Sequence, residues 1–311
     1  MLRYIRRRAL TSIVSIVGIS ILAFLLPRLA PGDPALVLMS DDATDEIIEE
    51  TREFWGLNKP LHEQYYLFLV RAVHLDLGTS LVTGRSTITT VKDFFPNTLK
   101  LALVAWVWSV AVSIPLGVLA ALHRNKIPDM IIKLFAMLGR GMPNFWLGIM
   151  LILLFAVVWK LLPAFGVGEG VIDQGKHLIL PGFVLGSSFM ALLVRMVRSE
   201  MLEVLNEDYV RTARAKGLTE KVVIYRHALR NALIPVVTIL GLEIGGLISG
   251  SIITETVFAY PGLGRLTVQS IQGLDYPMVQ TLILIFALIY ISGSFLVDVL
   301  YAFLDPRIRY Q

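Results

Sequence analysis

The 311-residue chain contains no cysteine. That excludes a disulfide framework and thiolate chemistry, whether nucleophilic or metal-binding. Charge is also scarce. Asp, Glu, Lys and Arg supply 17% of the residues against 55% hydrophobic, where soluble domains carry about 25% charged residues. With a mean hydropathy of +0.69, the composition belongs to a polytopic membrane protein. The five histidines, His62, His74, His123, His177 and His227, are scattered, with no H-E-x-x-H or paired-ligand spacing, so no metal site is expected. No serine stands in a G-x-S-x-G elbow, and no catalytic group is expected. The phosphate-binding pattern G-x-x-x-x-G-K-[ST] is missing as well, so the chain is not expected to hydrolyse ATP itself. The net charge of +4 is small and follows the loops rather than forming a nucleic-acid-binding patch.

The apolar segments set the order of the chain. Arg3, Arg6, Arg7 and Arg8 precede apolar Ala9–Leu26, which is long enough to span and is followed by no A-x-A-like cleavage site. It reads as an uncleaved first span with a cytoplasmic N-terminus. Residues 31–96 hold eleven acids against five bases, which places them outside the membrane's positive face. Within them Asp45–Trp55 and Leu61–Val73 are predicted helices, forming either a lid that stabilises the spans or a platform for an extracytoplasmic partner. The further spans are Leu101–Leu122, Phe145–Leu162, Ile179–Val197, Leu233–Ile253 and Val279–Phe303. Pro115 and Gly117 are expected to kink the second. His123–Lys133 is short, basic and therefore cytoplasmic. The GRGMPN stretch (Gly139–Asn144) should break the helix at the start of the third span. Pro163–His177 and Thr254–Met278 read as external loops, the latter with a Tyr260-Pro261-Gly262 turn. Six spans leave both termini inside.

Two spans carry unusual residues. Pro181, Gly182, Gly186, Ser187 and Ser188 lie along the fourth; small residues let helices pack closely, the preferred reading, or they widen a solute pathway. Glu243 lies near the middle of the fifth. An acid at that depth costs on the order of 2.5–3.5 kcal/mol and should face the bundle interior, a partner or water. Glu243, Ser187 and Ser188 are therefore candidate pathway residues, with a structural hydrogen bond as the alternative for Glu243.

The stretch that organises the chain is Glu207–Pro235, EDYVRTARAKGLTEKVVIYRHALRNALIP. It is positive and lies between two spans, hence cytoplasmic. Tyr209, Ala213 and Lys216 share one face of a short helix. Gly217 sits where that helix should end. Thr219 can cap a second helix over Glu220–Asn231, with Val222, Tyr225 and Leu229 as an apolar stripe. Small Ala213 and Ala215 would let another surface approach. The spacing suits either a docking element or an ordinary basic loop.

This run resembles the EAA-type cytoplasmic loop of ABC-importer permease subunits, E-A-A-x3-G-x9-I-x-L-P. Aligned on Gly217, the E-A-A falls on Arg211, Thr212 and Ala213, and the I-x-L-P on His227, Ala228, Leu229 and Arg230. Only Ala213, Gly217 and Leu229 fit that generic pattern. The dipeptide/oligopeptide/nickel branch is much closer: EDYVRTARAKGL with HALRNALIPVVT, LAPGDPA (Leu29–Ala35), MPNFW (Met142–Trp146), ETVFAYPGLGRL (Glu255–Leu266) and DYPMVQ (Asp275–Gln280) all resemble it. The resemblance implies an all-α type I ABC importer permease fold with six transmembrane helices and a small external helical segment between spans one and two. Its parts would be residues 1–30, the N-terminus and first span; 31–96, extracytoplasmic; 97–303, a five-span core with coupling loop 198–232; and 304–311, a cytoplasmic tail. It implies alternating access in the bacterial inner membrane. The partners would be a second homologous permease subunit, as a heterodimer, two ATPase subunits that bind ATP and Mg, and an extracytoplasmic binding protein. Tyr209, Arg211, Ala213, Lys216, Gly217 and Leu218 would form the coupling helix contact. Dipeptides or oligopeptides are the preferred substrates. GMPNFWLG and HLDLGTSLVTGR also resemble the nickel branch, which keeps nickel or a nickel chelate as the alternative. An ATP-independent six-span channel or secondary transporter would show internal repeats or paired half-helices, and none is evident.

Overall fold

Long apolar runs with few charges leave the backbone no partner in lipid except itself, so helices are the expected result. The computed structural model describes residues 2–29, 52 and 58–304, and among them every extended element is helical. Among the described residues five helices are long and apolar enough to cross a membrane, or six if one bent pair counts as a single span. The chain divides into two compact units, residues 1–97 with 261–311, and residues 98–260.

The first unit contains α1 (Leu2–Leu29), α2 (Leu61–Val73), the start of α3 (Thr87–Leu122), α10 (Leu263–Gln272) and α11 (Tyr276–Leu304). α1 runs along α11, tied by Arg8 Nη2 to Ser294 Oγ (3.1 Å) and Gln280 Nε2 to the Phe24 carbonyl (3.4 Å). α2 has the predicted bounds and rests on α1 through Tyr65 and Phe68 against Phe24, with ring centroids 5.4 and 5.8 Å apart. The predicted helix Asp45–Trp55 lies outside the described residues except for Arg52. Val91, Leu263, Leu266, Met278 and Leu282 form the apolar core that joins α3, α10 and α11.

One carboxylate gathers this unit's irregular backbone. Asp275 is buried and accepts the Ser80 hydroxyl, the Leu81 N–H (3.1 Å) and the Met278 N–H (3.3 Å). It thereby joins two stretches singled out in the sequence, HLDLGTSLVTGR and DYPMVQ. Truncation would strand buried donors, so Asp275→Ala is expected to cost about 3 kcal/mol. A thermal melt of the purified protein checks this, with Asp275→Asn losing less.

The second unit holds the remainder of α3, then α4 (Ile127–Gly141), α5 (Asn144–Leu151), α6 (Gly170–Val204), α7 (Asp208–Ala215), α8 (Glu220–Val222) and α9 (Leu229–Val257). α5 continues as a π-helix over Ile152–Val158, and a second π-helix, Val223–Ala228, joins α8 to α9. α6 lies at the centre, against α4 and α9. The small residues of the fourth span bring it close to α3. A Cβ at Gly182 would stand 2.7 Å from Val104 Cγ1, and one at Gly186 would stand 2.7 Å from both the Ala105 carbonyl oxygen and Ser109 Oγ. α3 meets α9 through Trp106 Nε1, which donates to the Leu240 carbonyl (3.0 Å), and through Thr98 Oγ1, which donates to buried Glu255 (2.8 Å). Burial, and after it the Glu255 carboxylate, pushes the Tyr260 phenol up to about 12, so it stays protonated at physiological pH.

Several boundaries differ from expectation. The break in GRGMPN is present: Pro143 holds Met142 in extended backbone, and the chain bends by 109° between α4 and α5 with its π-helical continuation. The segment before it, given no secondary structure in the sequence reading, is a full helix whose Ile132 and Ala136 pack against α3 and α6. α6 starts at Gly170, inside the expected 163–177 loop. The expected 254–278 loop contains the end of α9 and all of α10, whose Leu263 and Leu266 are buried.

Candidate functional site

The charged loop after α6 folds as helix, glycine turn, helix. α7 begins after Glu207, whose extended backbone marks the cap, and ends at Ala215 with Lys216 as its C-cap. Gly217 follows at φ +76°, the left-handed region that glycine adopts at low cost. Thr219 occupies the N-cap of α8 with its carbonyl accepting the Val222 and Val223 N–H groups (2.9 and 3.0 Å), but its hydroxyl makes no capping bond.

The second helix departs from the predicted one. It does not stop at Asn231 but continues through Val223–Ala228 into α9. The π-helical stretch inserts an extra residue per turn, which rotates the faces. Buried positions are Val223 and Ala228 rather than the predicted stripe, and Tyr225 is 58% exposed. Val210 and Ala213 of α7 pack with Val204 and Val223, so α7 is clamped to the end of α6.

The candidate coupling residues therefore divide. Ala213 faces inward, and its small size serves the hairpin's own packing, while Ala215 is exposed. Tyr209 and Leu218 are each 40% exposed, and Arg211 and Lys216 are exposed. Arg211 pairs weakly with Asp208 (3.3 Å), and Arg214 braces the turn through Glu220 (2.8 Å). The Tyr209 hydroxyl accepts Asn231 Nδ2 (2.7 Å), fixing α7 on α9. Beside it opens a hollow of about 570 Å³, lined by Tyr209, Arg226, His227, Arg230, Asn231 and Ile234. The outward face thus presents an aromatic ring, one leucine, several bases and a bare glycine turn. That suits a groove with acidic walls.

The pathway candidates lie apart from this loop. Glu243 of α9 is half-buried and makes no hydrogen bond or ion pair among the described residues; its Oε2 lies 3.2 Å from the position of a Cβ on Gly246. Ser187 Oγ donates to the Val184 carbonyl (2.8 Å) within α6, and Ser188 is half-buried.

Sequence reasoning missed one constellation. Asp129 at the start of α4 is fully buried and grips Arg198 of α6 through two bonds, 2.6 and 2.9 Å. The available signal was a single acid in the basic run His123–Lys133. Nothing in the spacing named its partner, which is 69 residues away.

The family described as "Binding-protein-dependent transport system inner membrane component" matches residues 113–310, and its N-terminal companion family matches residues 1–102. The glutathione transport system permease protein GsiC of Escherichia coli O6:H1 is 42% identical over 311 residues, covering all of both chains. The protein of that name from Shigella dysenteriae serotype 1 is also 42% identical, and that from Shigella boydii serotype 4 is 41% identical, again over both full lengths. Among solved structures, an inward-facing MetNI methionine ABC transporter chain superposes with a TM-score of 0.52 at 19% identity, covering 68% of this chain and 96% of its own.

Proposed function

Because the chain belongs to the family of binding-protein-dependent transport system inner membrane components and is a permease subunit of an ABC importer, we propose that it carries short peptides inward, with glutathione and dipeptides as the substrate class. It does so as half of a permease pair. Two ATPase subunits bind ATP and Mg on the cytoplasmic side, where both termini also lie, and α7 seats in a groove on one of them. A second, homologous permease completes the pathway, and a binding protein delivers substrate from outside.

The observation that carries this reading is the clamped hairpin. Val210 and Ala213 lock α7 to α6, while Tyr209, Lys216 and Leu218 face outward around a left-handed glycine. A helix held rigidly to a span yet bare on its outer face can pass a push from a partner into that span. The peptide class is favoured over nickel because relatives that match over both full lengths are named for glutathione, a tripeptide.

The test is to tag the chain, extract it in mild detergent and identify what co-purifies. A second permease and ATPase subunits are expected. Adding binding protein with dipeptide, glutathione or nickel then reads substrate as stimulated ATP hydrolysis. A chain that emerges alone or as a homo-oligomer, without ATPase, would sink the docking role; stimulation by nickel only would replace the peptide reading.

Glu243 fits a charge-dependent step on the pathway, since its carboxylate lacks a protein partner among the described residues. Glu243→Gln keeps the shape and removes the charge. Uptake is expected to fall about tenfold, equivalent to ~1.4 kcal/mol, with the inserted amount unchanged. Wild-type uptake would reduce Glu243 to a packing residue.

A further inference from the structure

The ion pair between buried Asp129 of α4 and half-buried Arg198 of α6 lies outside the docking face, yet it joins the elements that a docked helix would move. Asp129 accepts Arg198 Nε on one oxygen (2.6 Å) and Arg198 Nη2 on the other (2.9 Å). The second oxygen also accepts the Asn125 N–H (2.9 Å) and lies 3.2 Å from Lys133 Nζ. A carboxylate this fully satisfied is held in one place, and a two-pronged guanidinium bond fixes direction as well as distance. The rest of the α4–α6 contact is apolar. Ala136 of α4 meets Ala191 and Val194 of α6, with Ile132 and Ala120 beside them. Small apolar side chains permit sliding; the fork at Asp129 sets a single register. Fixing register is the best-attested use of a buried polar pair, whose contribution to stability is otherwise small.

The two helices of this pair lead to the α7 cluster at one end and to the Met142-Pro143 break at the other. α6 runs on from Arg198 to Val204, which packs in one cluster with Val210 and Ala213 of α7. α4 runs from Asp129 to the Met142-Pro143 break, where the chain turns through 109° into α5. Asn125, in the turn that follows α3, donates to the same carboxylate. These contacts form a continuous chain from α7 through α6 and Asp129 to α4 and the bend before α5.

We propose that Asp129 and Arg198 are a positioning pair that transmits the displacement of α7 to α4 and its bend, and so sets how much ATP is hydrolysed per substrate moved. This rests on the reading that α7 docks on an ATPase subunit.

The test uses the whole complex in vesicles with its ATPase subunits, binding protein and peptide. Three quantities are read: ATPase subunits retained, thermal midpoint, and ATP hydrolysed per substrate taken up. Asp129→Asn strands the guanidinium and is expected to lower the midpoint and raise the ratio. The decisive variant is Asp129→Leu with Arg198→Met. Replacing both partners by apolar groups removes the stranded guanidinium, and Lys133, 41% exposed, turns to water, so assembly and midpoint return towards wild type. The ratio is nonetheless expected to rise at least tenfold, because the register is no longer fixed. Arg198→Lys keeps the charge, loses the fork, and should also raise the ratio. A wild-type ratio in the assembled double variant and in Arg198→Lys would overturn the proposal and leave a structural pair. Loss of the ATPase subunits from the wild-type chain itself would instead sink the docking reading, before any variant is made.

Discussion

Gly217→Trp is expected to abolish uptake while leaving the chain in the membrane. The backbone there stands at φ +76°, and a Cβ would meet nothing within 4 Å. A side chain at that φ costs roughly 1–2 kcal/mol, which the surrounding hairpin tolerates. Val210, Ala213 and Val223 hold it together from the other side, and Glu220 braces Arg214 across the turn. The indole therefore projects outward beside Lys216 and Leu218, into the space a partner surface must fill. Losing about 2.7 kcal/mol of docking corresponds to about 100-fold in affinity, enough to strip the ATPase subunits during purification. Gly217→Ala supplies the strain without the bulk and should retain them. Uptake at the wild-type rate in Gly217→Trp, at equal membrane abundance, would remove α7 from the coupling contact.

Why the hairpin was legible and its second helix was not is a matter of range. Gly217 and the α7 boundary follow from local backbone preference, and the bounds of α2 follow from Pro60 and a 3.6-residue pattern. The break at Met142-Pro143 is equally local. The π-helical stretch Val223–Ala228 is not: its extra residue per turn shifts Tyr225 outward and Ala228 inward, and no residue type in VIYRHA announces it. Asp129 escaped for a related reason. The partner of a buried carboxylate is chosen by tertiary packing, and a loop acid looks the same in sequence whether it meets water or Arg198. The extra helices in the expected loops, α10 and the start of α6, were hidden because charge counting assigns sides of a membrane and says little about secondary structure beyond it.

Gly186→Leu should give the opposite profile to Gly217→Trp: the protein fails to accumulate, and whatever assembles still couples. A Cβ on Gly186 would stand 2.7 Å from the Ala105 carbonyl oxygen and from Ser109 Oγ. The carbonyl belongs to the backbone of α3 and has little room to give way. Ser109 Oγ in addition shares its one proton between the Ala105 carbonyl (2.7 Å) and the Gly186 carbonyl (3.1 Å), so separating the helices breaks the contact that crosses between them. In lipid there is no hydrophobic gain to draw the helices together again; close packing and such hydrogen bonds are the main attraction. Forcing the helices apart is expected to cost about 3 kcal/mol, read as a lower melting temperature and reduced membrane abundance. Gly250→Ala is the control, since its Cβ would lie at an ordinary 3.8 Å from Leu185 Cδ1. The same experiment decides between the two readings of the small residues on α6. If Gly186 widens a solute pathway, Gly186→Ala leaves the melting temperature unchanged and slows uptake. If it serves the contact with α3, Gly186→Ala already lowers the melting temperature, and uptake per assembled complex stays as it was.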